Sequence, residues 1–381
     1  MVKWNLFMLI HVFMWGVNKF WGINSRKIVF ISFGGKSYSD NPLAISRKLH
    51  EMYPDFKIIW IFNAPRSKMH MVPSYVICVK KHSIRSLFEF ATAKFWVDNF
   101  TKPNYFFKSS EQVYIQTWHG DKAFKKVLFD SGYRTKKQVI LEQRHCDLMI
   151  SGSDYGTMQF RSAFRYNGDI LQKGMPRNDV LLNKDVDKVR HIRKLIGVDE
   201  CCNILLFAPT FRDSNQENRI EIGIDLLKII EVLEGKYQKE WVCLIRAHSA
   251  VIGGFITDGL LPNKILDVTR YEDMSDLLLI ADMLITDYSS CAGDFALTGN
   301  PIILYQPDRQ EYIRENRCLY FDMEVSPYWV AMNQSDILSI VMSCSQQSAR
   351  ENSQAILDFY GSCESGEASK SVVEYIVEKS K

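Results

Sequence analysis

Paired-cysteine motifs are missing from this chain. Its nine cysteines are odd in number and show no C-x-x-C spacing, which speaks against a disulfide framework and a thiolate zinc site. The neighbours Cys201 and Cys202 cannot easily bridge within ordinary geometry, so free thiols in a reducing cytoplasm are expected. A large charge of one sign is also missing. Lys and Arg number 47 against 44 Asp and Glu, a net +3, too little to make nucleic acid the main partner and compatible with small anionic substrates. Low-complexity tracts and short repeats are absent. No side-chain cluster demands a metal, and no tightly bound cofactor is expected, although a loosely held Mg2+ would leave little trace. With 46% hydrophobic and 24% charged residues, the balance is that of a globular protein and excludes disorder along the whole chain.

Acidic residues are missing from the first 22 positions, which carry Trp4, Leu6, Phe7, Met8, Leu9, Ile10, Phe13, Met14, Trp15, Phe20 and Trp21. Asn5, His11, Asn18 and Lys19 interrupt the run, whereas a spanning helix wants roughly 20 predominantly apolar residues. No small-residue cleavage site comes after it, which argues against a removed signal peptide. With Lys3, Lys19, Arg26 and Lys27 as flanking cations, the segment 1–24 reads as an interfacial helix lying on a membrane surface. A buried helix covering the first domain is the other reading.

Beyond residue 24, short apolar runs alternate regularly with helical stretches. Lys27–Ser32 reads as a buried strand ended by the Gly34-Gly35 turn, and Asn41–Met52 as a helix capped by Asp40 or Asn41 with Pro42 at its first position. Further strands are expected at 57–62, 76–79, 95–97, 113–116, 147–150 and 169–171. The helix 185–195, stopped by Gly197, precedes a second series at 203–207, 241–245, 283–285 and 301–305. Near-continuous apolar strands separated by helices indicate parallel sheets covered on both faces. A length of 381 residues favours two domains, joined near 178–190: an N-terminal domain over 25–184 and a C-terminal domain over 185–381. The expected ligand site lies at the carboxyl ends of the strands.

Most polar clusters sit directly after a predicted strand. Thr286-Asp287-Tyr288-Ser289-Ser290 follows one and opens a helical pattern that includes Asp294. Unpaired first-turn donors there make a ready anion site, and ordinary N-capping by Asp287, Ser289 or Ser290 accounts for the same residues. His119 follows the strand at 113–116, with Gly120 allowing a close turn and Lys122, Lys125 and Lys126 nearby. A histidine suits a general base acting on an alcohol, and a surface-loop histidine among solvated lysines is the plain alternative. Arg246 and His248 alternate at the end of a strand and so share a face, as phosphate binders or as part of an ion pair. Arg212 lies in another polar turn, and Lys173–Asp179 reads as a hinge between the domains.

Taken together, these residues resemble the CDP-glycerol glycerophosphotransferases of teichoic-acid and related capsule synthesis. The likeness rests on Trp118-His119-Gly120, on Gly174 with Pro176-Arg177-Asn178-Asp179, and on Ala208-Pro209-Thr210-Phe211-Arg212. It rests further on Arg246 with His248 and on Leu284–Asp294, and the Phe30–Pro42 opening and the Gly366–Ser369 tail are similar too. The resemblance implies a GT-B fold of two Rossmann-like domains facing across a cleft, the second binding the CDP-glycerol donor. It implies a peripheral enzyme on the cytoplasmic face of the bacterial membrane, acting on a lipid-linked polymer. His119 corresponds to the base and His248 to a second essential histidine. Gly120, Arg212, Arg246, Thr286, Asp287, Ser289, Ser290 and Asp294 are the expected substrate contacts.

Two departures from the family pattern stand out. Asp121-Lys122-Ala123 follow the His-Gly where threonine and proline are usual, and Gly293 stands where a larger, often aromatic residue is common. The stretch Cys318–Met332 also follows the pattern loosely. The implied reaction has an acceptor hydroxyl, deprotonated by His119, attacking the β-phosphorus of CDP-glycerol and expelling CMP. A CDP-ribitol transferase, a GT-B sugar transferase and an inactive membrane scaffold are the alternative readings.

Overall fold

The computed structural model describes residues 2–102, 106–131, 144–210, 223–247, 263–315 and 318–381. The chain divides into two compact units. One comprises Met1–Asp121, Val127–Asp179 and Cys363–Lys381, the other Lys122–Lys126 and Val180–Ser362. The last 19 or so residues thus belong with the first unit rather than with the second, where the sequence reading places them.

The first unit is built on seven strands: β1 (Asn24–Ile31), β2 (Lys57–Phe62), β3 (Val76–Lys80), β4 (Ala93–Asp98), β5 (Val113–Gln116), β6 (Leu148–Ser151) and β7 (Asp169–Gln172). Their order is β3-β2-β1-β4-β5-β6-β7, and every neighbouring pair is parallel. Burial on both sides explains the unbroken apolar runs. Ile28 and Phe30 of β1 join a core with Trp60, Phe62 and Leu43, while Val29 and Ile31 join another with Ile59, Trp96 and Phe160. The first core also takes Val372, Val373 and Ile376 from the helix Ala368–Ser380. A helix with one apolar stripe fits either sheet, so its sequence holds no sign of which one it covers.

The second unit repeats the plan with β8 (Asn203–Ala208), β9 (Trp241–Ile245), β10 (Ile265–Asp267), β11 (Met283–Thr286), β12 (Ile302–Tyr305) and β13 (Trp329–Ala331). The order is β10-β9-β8-β11-β12-β13, again all parallel. The edge strands β10 and β13 are additions to the sequence reading. In both sheets the strand order reverses direction at one point, between β1 and β4 and between β8 and β11. Such a switch opens a crevice outside the carboxyl ends of the two strands.

Helix α1 spans Val2–Trp21 and belongs to the first unit. Met14 and Val17 are buried in its core, and Asn18 Nδ2 donates to Ala91 O at 2.8 Å. The opposite side leaves Leu6, Met8, Leu9, Val12, Phe13, Trp15, Phe20 and Trp21 exposed. Among the described residues, no helix is long and apolar enough to cross a membrane. Of the flanking cations, Lys27 is not at the surface. It is buried and bonded to Glu89 at 2.9 Å, and Arg26 pairs with Asp55.

Candidate active site

In the first unit, Thr117–Gly120 leave β5 at the carboxyl edge of the sheet. Thr117 N still donates to Asp98 O at 2.9 Å, and the buried Gln116 side chain accepts from Trp118 N at 2.9 Å. The turn then takes Trp118 to φ +51° and Gly120 to φ +142°. Glycine adopts that region freely, whereas a tryptophan there costs about 1–3 kcal/mol that surrounding bonds must offset. Those bonds fall on its carbonyls. Asn41 Nδ2 donates to Trp118 O at 3.1 Å, and Arg177 Nη1 donates to His119 O at 2.8 Å. Arg177 is itself fixed by Asp40 at 2.9 Å and by its backbone N–H to Asn41 Oδ1 at 3.0 Å.

The imidazole is oriented by the end of β4. His119 Nδ1 lies 2.9 Å from Asn99 O. A carbonyl can only accept, so in the neutral ring Nδ1 carries the proton and Nε2 the lone pair. Asn99 is held in turn, its Oδ1 accepting from Phe33 N at 2.7 Å and its Nδ2 donating to Ser32 Oγ at 3.2 Å. Trp118, Phe33 and Phe100 surround the ring, with centroids 4.1, 5.6 and 6.4 Å away. The geometry is that of a tautomer-fixed imidazole with an apolar flank.

The 173–179 segment has a second role besides leading out of the first unit. Gly174 sits at φ +108°, and a Cβ there would meet Glu364 Oε2 at 2.8 Å. Glu364 accepts from Met175 N and Asn178 Nδ2 at 2.9 and 2.7 Å, and Asp179 accepts from Ala368 N and Ser369 N at 2.9 and 2.7 Å. These bonds tie the motif to the tail and hold Arg177 where it clamps the His119 loop.

In the second unit the carboxyl ends of β8, β9 and β11 bring Thr210, Arg246 and Ser289-Ser290 to one edge of the sheet. Thr286 is buried and donates to Ala208 O at 2.6 Å. Asp287 is buried too. Its carboxylate accepts from Thr210 N at 3.0 Å, from the Thr210 hydroxyl and from Tyr288 N at 2.5 Å. Gln306 Nε2 donates to Asp287 O at 2.9 Å. Thr286 and Asp287 therefore join the two strands at the switch point. Ser289 and Ser290 are half-exposed at the head of the short helix Cys291–Phe295. The Ser290 hydroxyl has no hydrogen-bond partner among the described residues. Burial pushes the neighbouring Cys291 thiol up to about 11, so it stays a neutral thiol near pH 7.

Arg246 continues β9, with its N–H on Phe207 O at 2.9 Å. Its Nη1 donates to Ala247 O and Thr269 O at 2.8 and 3.0 Å, and its buried Nε has no partner among the described residues. Burial lowers the guanidinium's pKa, opposed by Asp273, Cys291 and Asp267, but an arginine remains charged. Arg212 and His248 lie outside the described residues.

The two departures from the family pattern meet in this unit. Lys122 is fully buried, and its chain occupies the space in front of Gly293, where a Cβ would come within 2.8 Å of Lys122 Cδ and 2.9 Å of its Cβ. Its ammonium lies 3.7 Å from Asp294 Oδ1. The lysine fills the space that a larger side chain at 293 would need, and Asp294 offsets part of the cost of burying its charge. Asp121, just before it in the first unit, is equally buried and accepts from Gly152 N and Ser153 Oγ at 2.7 and 2.9 Å. Sequence reasoning missed Asn41, Asn99, Arg177 and Lys122 as supports of the site. Arg177 and Asn41 stood in recognisable motifs, without a sign of what they would hold.

Two doubly wound parallel-sheet units with polar groups along their carboxyl edges define a GT-B-like fold. The chain matches the family described as CDP-glycerol:poly(glycerophosphate) glycerophosphotransferase over residues 12–378. It belongs to that family, whose members transfer phosphate-containing groups. It is 33% identical over 377 residues to a teichoic acid poly(glycerol phosphate) polymerase of Staphylococcus epidermidis, covering 93% of this chain. It spans about half, 51%, of that relative's length. A teichoic acid glycerol-phosphate transferase of Staphylococcus aureus is 31% identical over 369 residues, with 93% of each chain covered. Among solved structures, a histidine-to-asparagine variant of the wall teichoic acid polymerase TagF, soaked with CDPG, is 30% identical. It superposes with a TM-score of 0.83 over 100% of this chain and 98% of that one.

The packing of Lys122 against Gly293 predicts a coupled pair. Gly293→Ala lowers stability by about 1–3 kcal/mol through overpacking, measured by denaturant unfolding. In a Lys122→Ala background the same substitution costs less, with a coupling of about 0.5–3 kcal/mol. Strictly additive effects would contradict the shared space.

Proposed function

We propose that this chain transfers glycerol phosphate from CDP-glycerol to a hydroxyl of a teichoic-acid-like polymer acceptor and releases CMP. His119 is the base in this reading. The observation that carries it is the Nδ1 contact with Asn99 O at 2.9 Å, which leaves Nε2 as the nitrogen able to take a proton. The acceptor O–H gives its proton to Nε2 as the oxygen forms a bond to the β-phosphorus. The bond from that phosphorus to the bridging oxygen breaks, and CMP leaves with the electron pair. Phosphoryl transfer of this kind asks the protein for positioning and charge stabilisation. Ser289, Ser290 and Arg246 are proposed to hold the pyrophosphate, with Arg212 and His248 as further donor contacts. Gly120 lets the loop turn close to the substrate. Thr286, Asp287 and Asp294 act from beneath the contact surface. The family and the printed functions of its relatives favour glycerol over ribitol as cargo.

A second element of the proposal concerns α1. Its exposed apolar row, its lack of acidic residues and its single basic residue in the last turn, Lys19, suit a helix seated in the headgroup layer. That would hold the enzyme at a membrane where a lipid-linked acceptor resides.

His119→Ala lowers kcat about 10²–10⁴-fold, the usual worth of general-base help, with the Kd for CDP-glycerol within twofold of wild type. The assay is CMP release with CDP-glycerol, CDP-ribitol and a UDP-sugar as competing donors. Undiminished turnover in the variant removes the base, and UDP release moves the chain to sugar transfer. Trp21→Glu weakens partitioning onto phospholipid vesicles about tenfold or more, since losing one large apolar contact costs ~1.5–3 kcal/mol. Equal vesicle binding by wild type and variant in a flotation assay would remove the membrane role of α1.

A further inference from the structure

Gly34, Gly35, Lys36 and the residue after β3 have no part in the transfer step as described, yet they lie at the carboxyl edge that carries His119. We propose that Lys81, with Lys36 and the Phe33–Gly35 turn, forms an anion subsite beside His119 that takes the last phosphodiester of the acceptor chain. This deepens the transferase reading and rests on it for the identity of the ligand.

Topology supplies the place. The first sheet switches direction between β1 and β4, where ligands of doubly wound folds bind. The residues that come after those two strands are Phe33–Gly35 and Asn99–Phe100. Lys81 succeeds β3, two strands away, and its backbone N–H donates to Phe62 O at 2.7 Å. Its side chain turns back to the switch, where Nζ donates to Gly34 O at 2.6 Å. The turn is shaped for that approach. Phe33, Gly34 and Gly35 have φ of +45°, +65° and +91°, and a Cβ on Gly34 would stand 3.4 Å from Lys81 Nζ.

Charge supplies the affinity. One carbonyl contact leaves the ammonium with two further N–H bonds to give. The carboxylate that acts on it, Asp98, is already engaged, buried against Lys102. Lys36, exposed on the same turn, adds a second cation. Burial is the main cause lowering the Lys81 pKa, Asp98 opposes it, and Lys102 and Lys36 reinforce it. Like charges gathered without matching carboxylates are what a bound anion relieves.

Phe100 relates the cation to the base. Its ring stacks on His119 at 6.4 Å, and its Cδ1 is 4.0 Å from the position of a Cβ on Gly34. A polyol phosphate chain that ends in a free hydroxyl carries its nearest phosphodiester one polyol away. A cation one aromatic ring from the imidazole matches that spacing, so gripping the phosphodiester would deliver the hydroxyl to His119. An uncharged acceptor gains nothing from this contact.

The test uses the full-length protein, CDP-glycerol and two soluble acceptors with the same terminal glycerol, one preceded by a phosphodiester and one not. Lys81→Gln raises KM for the phosphodiester acceptor about 10- to 100-fold, the range for a lost hydrogen bond to a charged group. KM for the uncharged acceptor and for CDP-glycerol stays within twofold, and Lys81→Arg retains most of the affinity. Lys36→Gln shifts the same KM in the same sense by a smaller factor. If both acceptors are affected alike, or neither is, the subsite is overturned. Titration calorimetry with glycerophosphoglycerol gives a readout that does not need turnover. Unchanged binding in Lys81→Gln refutes the subsite, whereas wild-type protein that binds this diester but never releases CMP refutes the transferase reading instead.

Discussion

The hydrogen bond between the His119 imidazole and the Asn99 carbonyl is the constraint on which the first unit's chemistry depends. It sets which ring nitrogen can accept a proton, and it does so with a backbone group that cannot reverse its role. Asn99 holds this position because β4 ends beside β1, where its side chain is bonded to Ser32 and Phe33. The loop that presents His119 is strained at Trp118 and is kept in place by Asn41 and Arg177 through its carbonyls. Arg177 depends in turn on a segment stitched to Glu364 and the tail helix. A substitution in the tail can therefore disturb the His119 loop from a distance.

The second unit obeys a parallel rule. Its buried Thr286 and Asp287 are engaged in joining strands, while Ser289 and Ser290 stand half-exposed. Asp287 is satisfied by Thr210 and Tyr288, as a buried carboxylate must be. The buried Arg246 Nε has no partner among the described residues. Positions 122 and 293 are packed as a pair. The aliphatic chain of Lys122 fills the space in front of Gly293, and Asp294 answers its charge.

Much of the fold was legible because central strands buried on both faces need unbroken apolar runs, as in Lys57–Phe62 and Asn203–Ala208. The helix at Val186–Ile196 was legible from its caps, with Asp185 bonded to Asp187 N and Lys188 N and Gly197 left-handed. The edge strands Ile265–Asp267 and Trp329–Ala331 were not, because three residues hold no periodicity. His119 was visible as a histidine after a strand. Asn99 was not, since its contribution is a carbonyl that every residue possesses. Asp40 and Asn41 looked like helix caps, yet their side chains serve Arg177 and the His119 loop. Lys122 looked like one of several solvated lysines and is buried. Polar residues at strand ends can be found by pattern, but whether they face inward or outward depends on partners distant in sequence.

The most direct measurement is the tautomer of His119, read by ¹⁵N NMR of histidine-labelled protein above the pH at which the ring protonates, with His119→Asn for assignment. The account predicts that Nδ1 bears the proton, with the chemical shift of a hydrogen-bonded N–H, and that Nε2 has the shift of an unprotonated nitrogen. A ring protonated on Nε2 would contradict it, because the nitrogen facing Asn99 would then be the acceptor and the assigned base would have no lone pair to offer.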